Sequence, residues 1–248
     1  MRRVFAALLI VAGACAGLQA QRKEVVVSAA SSLTGVMAQI ARAYEASQGD
    51  RVAVNLGASN TLARQIAAGA RVDLFISADD AQMDVVREQI VEGTRSILLS
   101  NQLVIAVPAD RPPSIRSARD LLAPAVRRIA VGDPAAVPAG VYAWSYLQRS
   151  GVANAVKPKL VPTTSVRLAL AAAESGSVDA AIVFKTDLAT TTRARLSFAI
   201  PIAETPAIRY PAAVIHGGAN PDGARRFLAY LKSSAAAEIF RSAGFIVP

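Results

Sequence analysis

Four short segments carry hydroxyl, glycine or proline residues just where apolar runs give way to helical periodicity. They are Ser31-Ser32, Ser59-Asn60-Thr61, Pro138-Ala139-Gly140 and Thr163-Thr164-Ser165. A helix start leaves backbone N–H groups without partners and carries the positive end of the helix dipole. It is therefore a ready anion site, and a hydroxyl adds one more donor. Four such turns facing one cleft could hold a dianion with no Arg or Lys at all. Donors alone also favour a fully ionised oxyanion, because a protonated one needs an acceptor for its own hydrogen. Taken singly, each turn reads as plain N-capping, a contribution of about 1 kcal/mol per cap. Only the combination points to a ligand.

Other chemistries lack their parts. His216 is the only histidine, so it supports neither a metal cluster nor a Ser–His pair and reads as structural. A hydrolase built on Ser32 or Ser59 would have no evident base, and the expectation is that the chain is not an enzyme. Tyr142, Trp144 and Tyr146 share one helical stretch without a carboxylate or His partner, so packing explains them better than iron binding. Asp73, Asp79 and Asp80 surround a strand end, where capping and turn roles are simpler than a Mg²⁺ site. There is no Gly-rich phosphate loop, G-x-S-x-G elbow or H-E-x-x-H motif.

The elements that must position the four turns follow a strand–turn–helix rhythm. Val25 to Val27 and Val52 to Leu56 read as strands, and Leu74 to Ser77 as a third. Helices are expected over 33–47, 61–68 and 80–91, the last stopped by Gly93. A long apolar run spans Ile97 to Val107. Beyond it come a strand at 129–131, helices at 139–150 and 165–175, and a strand at 180–184. Segments 197–202 and 210–215 read as apolar crossings, followed by helices at 222–232 and 235–243. This repetition predicts doubly wound α/β architecture. Two lobes joined by strands form a hinge, with the ligand site in the cleft at the carboxyl ends of strands.

Composition agrees. Of 248 residues, 53% are hydrophobic and 18% charged, which excludes a disordered chain. Arg2 and Arg3, the apolar run Val4 to Val11 and the small residues through Ala20 read as a signal peptide cleaved near Ala20. The run is too short to span a bilayer, which takes about 20 residues. The only cysteine, Cys15, falls inside this segment, so the mature chain has no disulfide and no Cys-based metal site. Val11-Ala12-Gly13-Ala14-Cys15 loosely resembles a lipoprotein processing site, but Ala12 stands where Leu is usual, and plain cleavage is the expectation. The formal charge is +9; without Arg2 and Arg3 the balance is 25 basic to 18 acidic residues. The Arg residues are scattered without interleaved aromatics, which argues against nucleic-acid binding.

Several segments together resemble the periplasmic molybdate-binding proteins of ABC transporters. They are Val27-Ser28-Ala29-Ala30-Ser31-Ser32-Leu33-Thr34, Ala58-Ser59-Asn60-Thr61-Leu62-Ala63-Arg64-Gln65-Ile66, and Ala70-Arg71-Val72-Asp73-Leu74-Phe75-Ile76-Ser77-Ala78. Val131-Gly132-Asp133-Pro134 with Val137-Pro138-Ala139-Gly140-Val141-Tyr142-Ala143, and Ala237-Glu238-Ile239-Phe240 with Gly244-Phe245, complete the set. The resemblance implies an α/β, two-lobed periplasmic binding protein of type II, each lobe a doubly wound sheet with helices. The expected division is 1–20 signal peptide, 21–101 plus 208–248 one lobe, and 102–207 the other. It implies an exported, periplasmic, monomeric protein that captures molybdate or tungstate, needs no cofactor, and delivers its ligand to a membrane permease with its ATPase. Sulfate or thiosulfate is the alternative ligand. A regulator's effector module can share the fold, but it predicts a helix-turn-helix domain and no signal peptide, the reverse of what stands here.

Carried over by position, Ser32 and Ser59 match the ligand serines of that family, and Ala139 and Val166 match its backbone donors. A tyrosine hydroxyl completes the family's site, and that position falls on Phe184 here. Phe184 cannot donate, and losing a donor to a charged acceptor costs about 1.5–3 kcal/mol. Thr163, Thr164, Ser165 or Asn60 are candidates to supply the missing hydrogen bond.

Overall fold

The computed structural model describes residues 23–48 and 50–248. The expected signal peptide and Cys15 lie outside the described residues. The chain opens with β1 (Glu24–Ala30), α1 (Val36–Gln48), β2 (Arg51–Gly57), α2 (Ser59–Ala67), β3 (Leu74–Ile76), α3 (Asp80–Val85) and β4 (Ser96–Leu99). It continues through β5 (Leu103–Pro108), β6 (Ile129–Gly132), α4 (Pro138–Arg149), α5 (Ala153–Val156), β7 (Leu160–Thr163), α6 (Val166–Glu174), β8 (Ala180–Phe184), α7 (Lys185–Leu188) and β9 (Ala194–Ala199). It ends with β10 (Tyr210–Val214), α8 (Pro221–Leu231) and α9 (Ser234–Ser242).

Two five-stranded sheets result, in the orders β2-β1-β3-β10-β4 and β7-β6-β8-β5-β9. In each, three strands run parallel, joined by helical crossovers: β1, β2 and β3 in the first, and β6, β7 and β8 in the second. The other two strands of each sheet add antiparallel pairings. The chain leaves the first sheet after Leu99, enters the second at Leu103, and returns between Ala199 and Tyr210. Buried Val, Ile, Leu and Ala side chains fill the central strands, as their covered positions require. The terminal helices close the first sheet, where Phe227 of α8 packs edge-on against Tyr44 of α1 at 4.9 Å.

Four sequence expectations shift for identifiable reasons, and one strand escapes the sequence pattern. The helix expected from Leu33 begins at Val36, because Gly35 takes φ +88° and separates it from a 3-10 turn at Ser31–Leu33. The helix expected over 80–91 stops at Val85. Val91 N–H donates to Val214 and Ile90 pairs with Ile215, so this backbone is committed to the sheet edge. The apolar run 97–107 is two strands in different sheets, separated by the polar residues Ser100-Asn101-Gln102. Segment 197–202 is not a crossing throughout, since Ala194–Ala199 forms edge strand β9. Strand β7 carries Pro162, which hides its strand character but is tolerated at a sheet edge.

The junction of β6 and α4 is tightly packed. A Cβ on Gly140 would collide with the Gly132 carbonyl and sit 2.7 Å from the Asp133 carbonyl oxygen. Both are backbone atoms that cannot rotate away. Gly140→Ala is expected to destabilise the fold by about 1–3 kcal/mol, read as a lowered thermal midpoint by calorimetry.

Candidate functional site

The carboxyl ends of the two parallel triplets face each other. Between them lies a small cavity of ≈ 10 Å³, about the room that one water-sized sphere needs. Ala30, Ser31 and Ser32 reach it from the end of β1, Ala58 and Ser59 from β2, and Ala78 from β3. Val137, Pro138 and Ala139 reach it after β6, Val166 after β7, and Phe184 at the end of β8. All five residues singled out from the sequence, Ser32, Ser59, Ala139, Val166 and Phe184, therefore line one cavity. No Lys, Arg, His, Asp or Glu lines it.

Local chemistry explains what each turn offers. Ala58, not a serine, is the N-cap of α2, and Ser59 is its first helical residue. The Ser59 side chain is thus free of capping, and its Oγ accepts from Ala78 N–H at 3.0 Å. In α4, Val137 is the N-cap and Pro138 fills the first position, leaving Ala139 among the N–H groups that a helix start cannot satisfy. In α6, Ser165 is the N-cap and accepts from Leu168 N–H at 3.3 Å, so Val166 N–H heads the helix uncapped. The first turn differs: Ser32 sits in a 3-10 turn, not at an α-helix start, and what it brings is its hydroxyl. That hydroxyl lies 2.9 Å from the Tyr210 hydroxyl.

The side chains expected to replace the donor missing at Phe184 do not reach the cavity. Thr163 donates to the carbonyls of Val131 and Ser165, Ser165 is occupied as a cap, and neither they nor Thr164 or Asn60 line the cavity. Phe184 is fully buried, its ring 6.0 Å from that of Tyr210. Sequence reasoning missed Tyr210 and Asn101, whose amide nitrogen lies 3.2 Å from the Tyr210 oxygen. The available signal was the polar run Ser100-Asn101-Gln102, which interrupts the otherwise apolar stretch from Ile97 to Val107. Asp79 caps α3 through Gln82 N–H, and Asp73 accepts from Val26 and Asn220 N–H, as turn roles require. Among the described residues, no group of three or more His, Cys, Asp or Glu could hold a metal ion.

A family model described as bacterial extracellular solute-binding protein matches residues 25–246. The chain belongs to this family. The molybdate-binding protein ModA of Escherichia coli is 39% identical over 236 residues, 92% of this chain and 91% of that protein. A Clostridium difficile substrate-binding domain of known structure is 35% identical, with TM-score 0.72, covering 91% of this chain and 99% of that one. The Azotobacter vinelandii periplasmic molybdate-binding protein shares the fold at 22% identity, with TM-score 0.82 over 90% of this chain and 99% of that one. The solute-binding family's architecture of two mixed α/β sheets is the one described above. No helix among the described residues is long and apolar enough to cross a membrane.

One buried carboxylate stands behind the cavity wall. Asp187 accepts from Phe184 N–H at 3.1 Å, and its other oxygen lies 3.6 Å from Arg167. Burial pushes its pKa up to about 7, although Arg167 and the Phe184 N–H pull the other way. A carboxyl raised in this way contributes most below its unfolded value of about 4 and loses that contribution as pH rises through the folded one. Asp187→Asn keeps an acceptor for Phe184 N–H but cannot ionise. Thermal midpoints measured from acid to neutral pH are expected to fall less steeply with rising pH in this variant than in the wild type.

Proposed function

We propose that this solute-binding protein captures molybdate or tungstate in the cavity between its two sheets and delivers it to an ABC transporter permease and its ATPase. The carrying observation is that Ser32, Ser59, Ala139, Val166 and Phe184 line one small cavity without a charged side chain. The 39% identity to the Escherichia coli protein supports the same ligand class. Two hydroxyls and the leading N–H groups of three helices form a donor set suited to a fully ionised tetrahedral dianion. Residues 21–101 with 208–248 form one lobe and 102–207 the other, a division supported by the change of sheet on either side of 103–199. Capture is closure of the lobes on the ion, with no chemical step, and the protein works in the periplasm as a monomer.

A thermal-shift titration of the mature chain tests this reading. Molybdate or tungstate at about 1,000 times the dissociation constant adds about 4 kcal/mol, or roughly 8–16 °C for a chain of this size. Sulfate and phosphate at the same concentration are expected to give much smaller shifts. A shift with sulfate alone, or with none of the four, refutes the assignment.

Variants test the site itself. Ser32→Ala and Ser59→Ala each remove a hydrogen bond to a charged acceptor, so each is expected to weaken molybdate binding about tenfold or more. Unchanged affinity in both sinks the site. Phe184→Tyr restores a hydroxyl at the cavity wall and is expected to tighten binding by about tenfold, measured by titration calorimetry.

A further inference from the structure

A hydroxyl can present either its hydrogen or its lone pairs to a ligand. Only the hydrogen helps an anion, so the direction of the bond behind Ser32 matters. That direction is set two residues away. Gln102 N–H donates to Asn101 Oδ1 at 2.9 Å, which fixes which end of the Asn101 amide faces inward. The inward end is Nδ2, and it donates to Thr186 Oγ1 at 2.9 Å and to the Tyr210 oxygen at 3.2 Å.

Tyr210 is fully buried, and burial pushes its phenol well above the usual value, so it keeps its hydrogen. Among the described residues its oxygen has two hydrogen-bond partners, Asn101 and Ser32. Asn101 Nδ2 can only donate. The Tyr210 hydrogen therefore goes to Ser32 Oγ, since leaving it unmade would strand a buried donor. Ser32 Oγ is then an acceptor on its protein side, and its own hydrogen is left for the cavity it lines. Ser59 reaches the same state by a shorter route, accepting from Ala78 N–H.

We propose that Asn101 and Tyr210 are positioning residues: a one-way relay from Gln102 N–H through Asn101 and Tyr210 to Ser32 makes the Ser32 hydroxyl a fixed donor and so favours ions that carry no proton. This deepens the oxyanion-binding reading and rests on it. It also gives Tyr210, whose ring lies 6.0 Å from that of Phe184, a role that does not need contact with the ion. The relay draws on both crossovers between the sheets: Asn101 lies between β4 and β5, and Tyr210 is the first residue of β10.

Tyr210→Phe removes the hydroxyl while keeping the ring. Molybdate is titrated calorimetrically into the wild-type mature chain, Tyr210→Phe, Ser32→Ala and the double variant. Tyr210→Phe is expected to bind about tenfold more weakly than wild type. On the Ser32→Ala background the same change is expected to alter affinity by less than about twofold, because the relay acts only through the Ser32 hydroxyl. A merely structural tyrosine would cost the same on both backgrounds, and that result, or no loss in the wild-type background, overturns the relay.

A selectivity ratio reads the same device independently of stability. Every inorganic phosphate ion at neutral pH or below carries a proton and needs an acceptor. Tyr210→Phe frees a Ser32 lone pair, so the molybdate-to-phosphate affinity ratio is expected to fall about tenfold. An unchanged ratio overturns the relay. Failure of the wild type to bind molybdate overturns the molybdate reading and the relay with it, whereas equal binding by wild type and Ser32→Ala overturns the relay alone.

Discussion

A doubly charged ion taken from water into a closed protein cavity loses its hydration, and here no cationic side chain lines the cavity to compensate. Burying an isolated charge is prohibitively costly unless hydrogen bonds replace the lost water. The replacement must come from neutral donors that are already oriented and not otherwise used. That single requirement accounts for most of the site's design. Helix starts supply such donors because their first N–H groups have no partner within the helix. Hydroxyls supply them only when something else occupies their lone pairs.

Each element therefore contributes little by itself, and the two sheets are needed to bring the contributions together. Three parallel strands in each sheet end on opposite sides of one small space. Parallel strands with helical crossovers put every helix start at the same edge of the sheet, which is why ligands of open α/β sheets gather there. Splitting the donors between two sheets also means the full set exists only when the sheets approach. In the proposed capture, ion and closure stabilise one another, a linkage that favours the liganded shape. The close packing of Gly140 on the backbone of Gly132 and Asp133 anchors one of these helix starts, so that Ala139 is held in place by the main chain itself.

Phe184 shows what a donor-based site tolerates. The resemblance that names Ser32, Ser59, Ala139 and Val166 calls for a tyrosine where this chain has a buried phenylalanine. Its ring seals the cavity wall against Tyr210, and the neighbouring hydroxyls lie in Tyr210, Asn101 and Thr186's network behind Ser32. Water exclusion and donor direction are thus handled by different residues: an apolar ring for the first, and a polar chain rooted in the Gln102 N–H for the second.

The sequence by itself determined the alternation of strands and helices, the positions of four polar turns and, through the family motifs, the five residues that line the cavity. Those features are local: periodicity and turn chemistry act over a few residues, and α8 and α9 fall within one residue of where they are expected. Tertiary structure alone decided which helix starts remain uncapped, since Ser165 caps a helix while Ser59 does not. It also ended α3 early, by spending the backbone of Ile90 and Val91 on β10 more than 120 residues away. Most of all, it decided the direction of the Ser32 hydroxyl. That depends on Asn101 and Tyr210, 109 residues apart in the chain, and no periodicity relates residues so distant. A hydrogen bond's polarity is a property of the whole network that it ends, which is why only the folded molecule could set it.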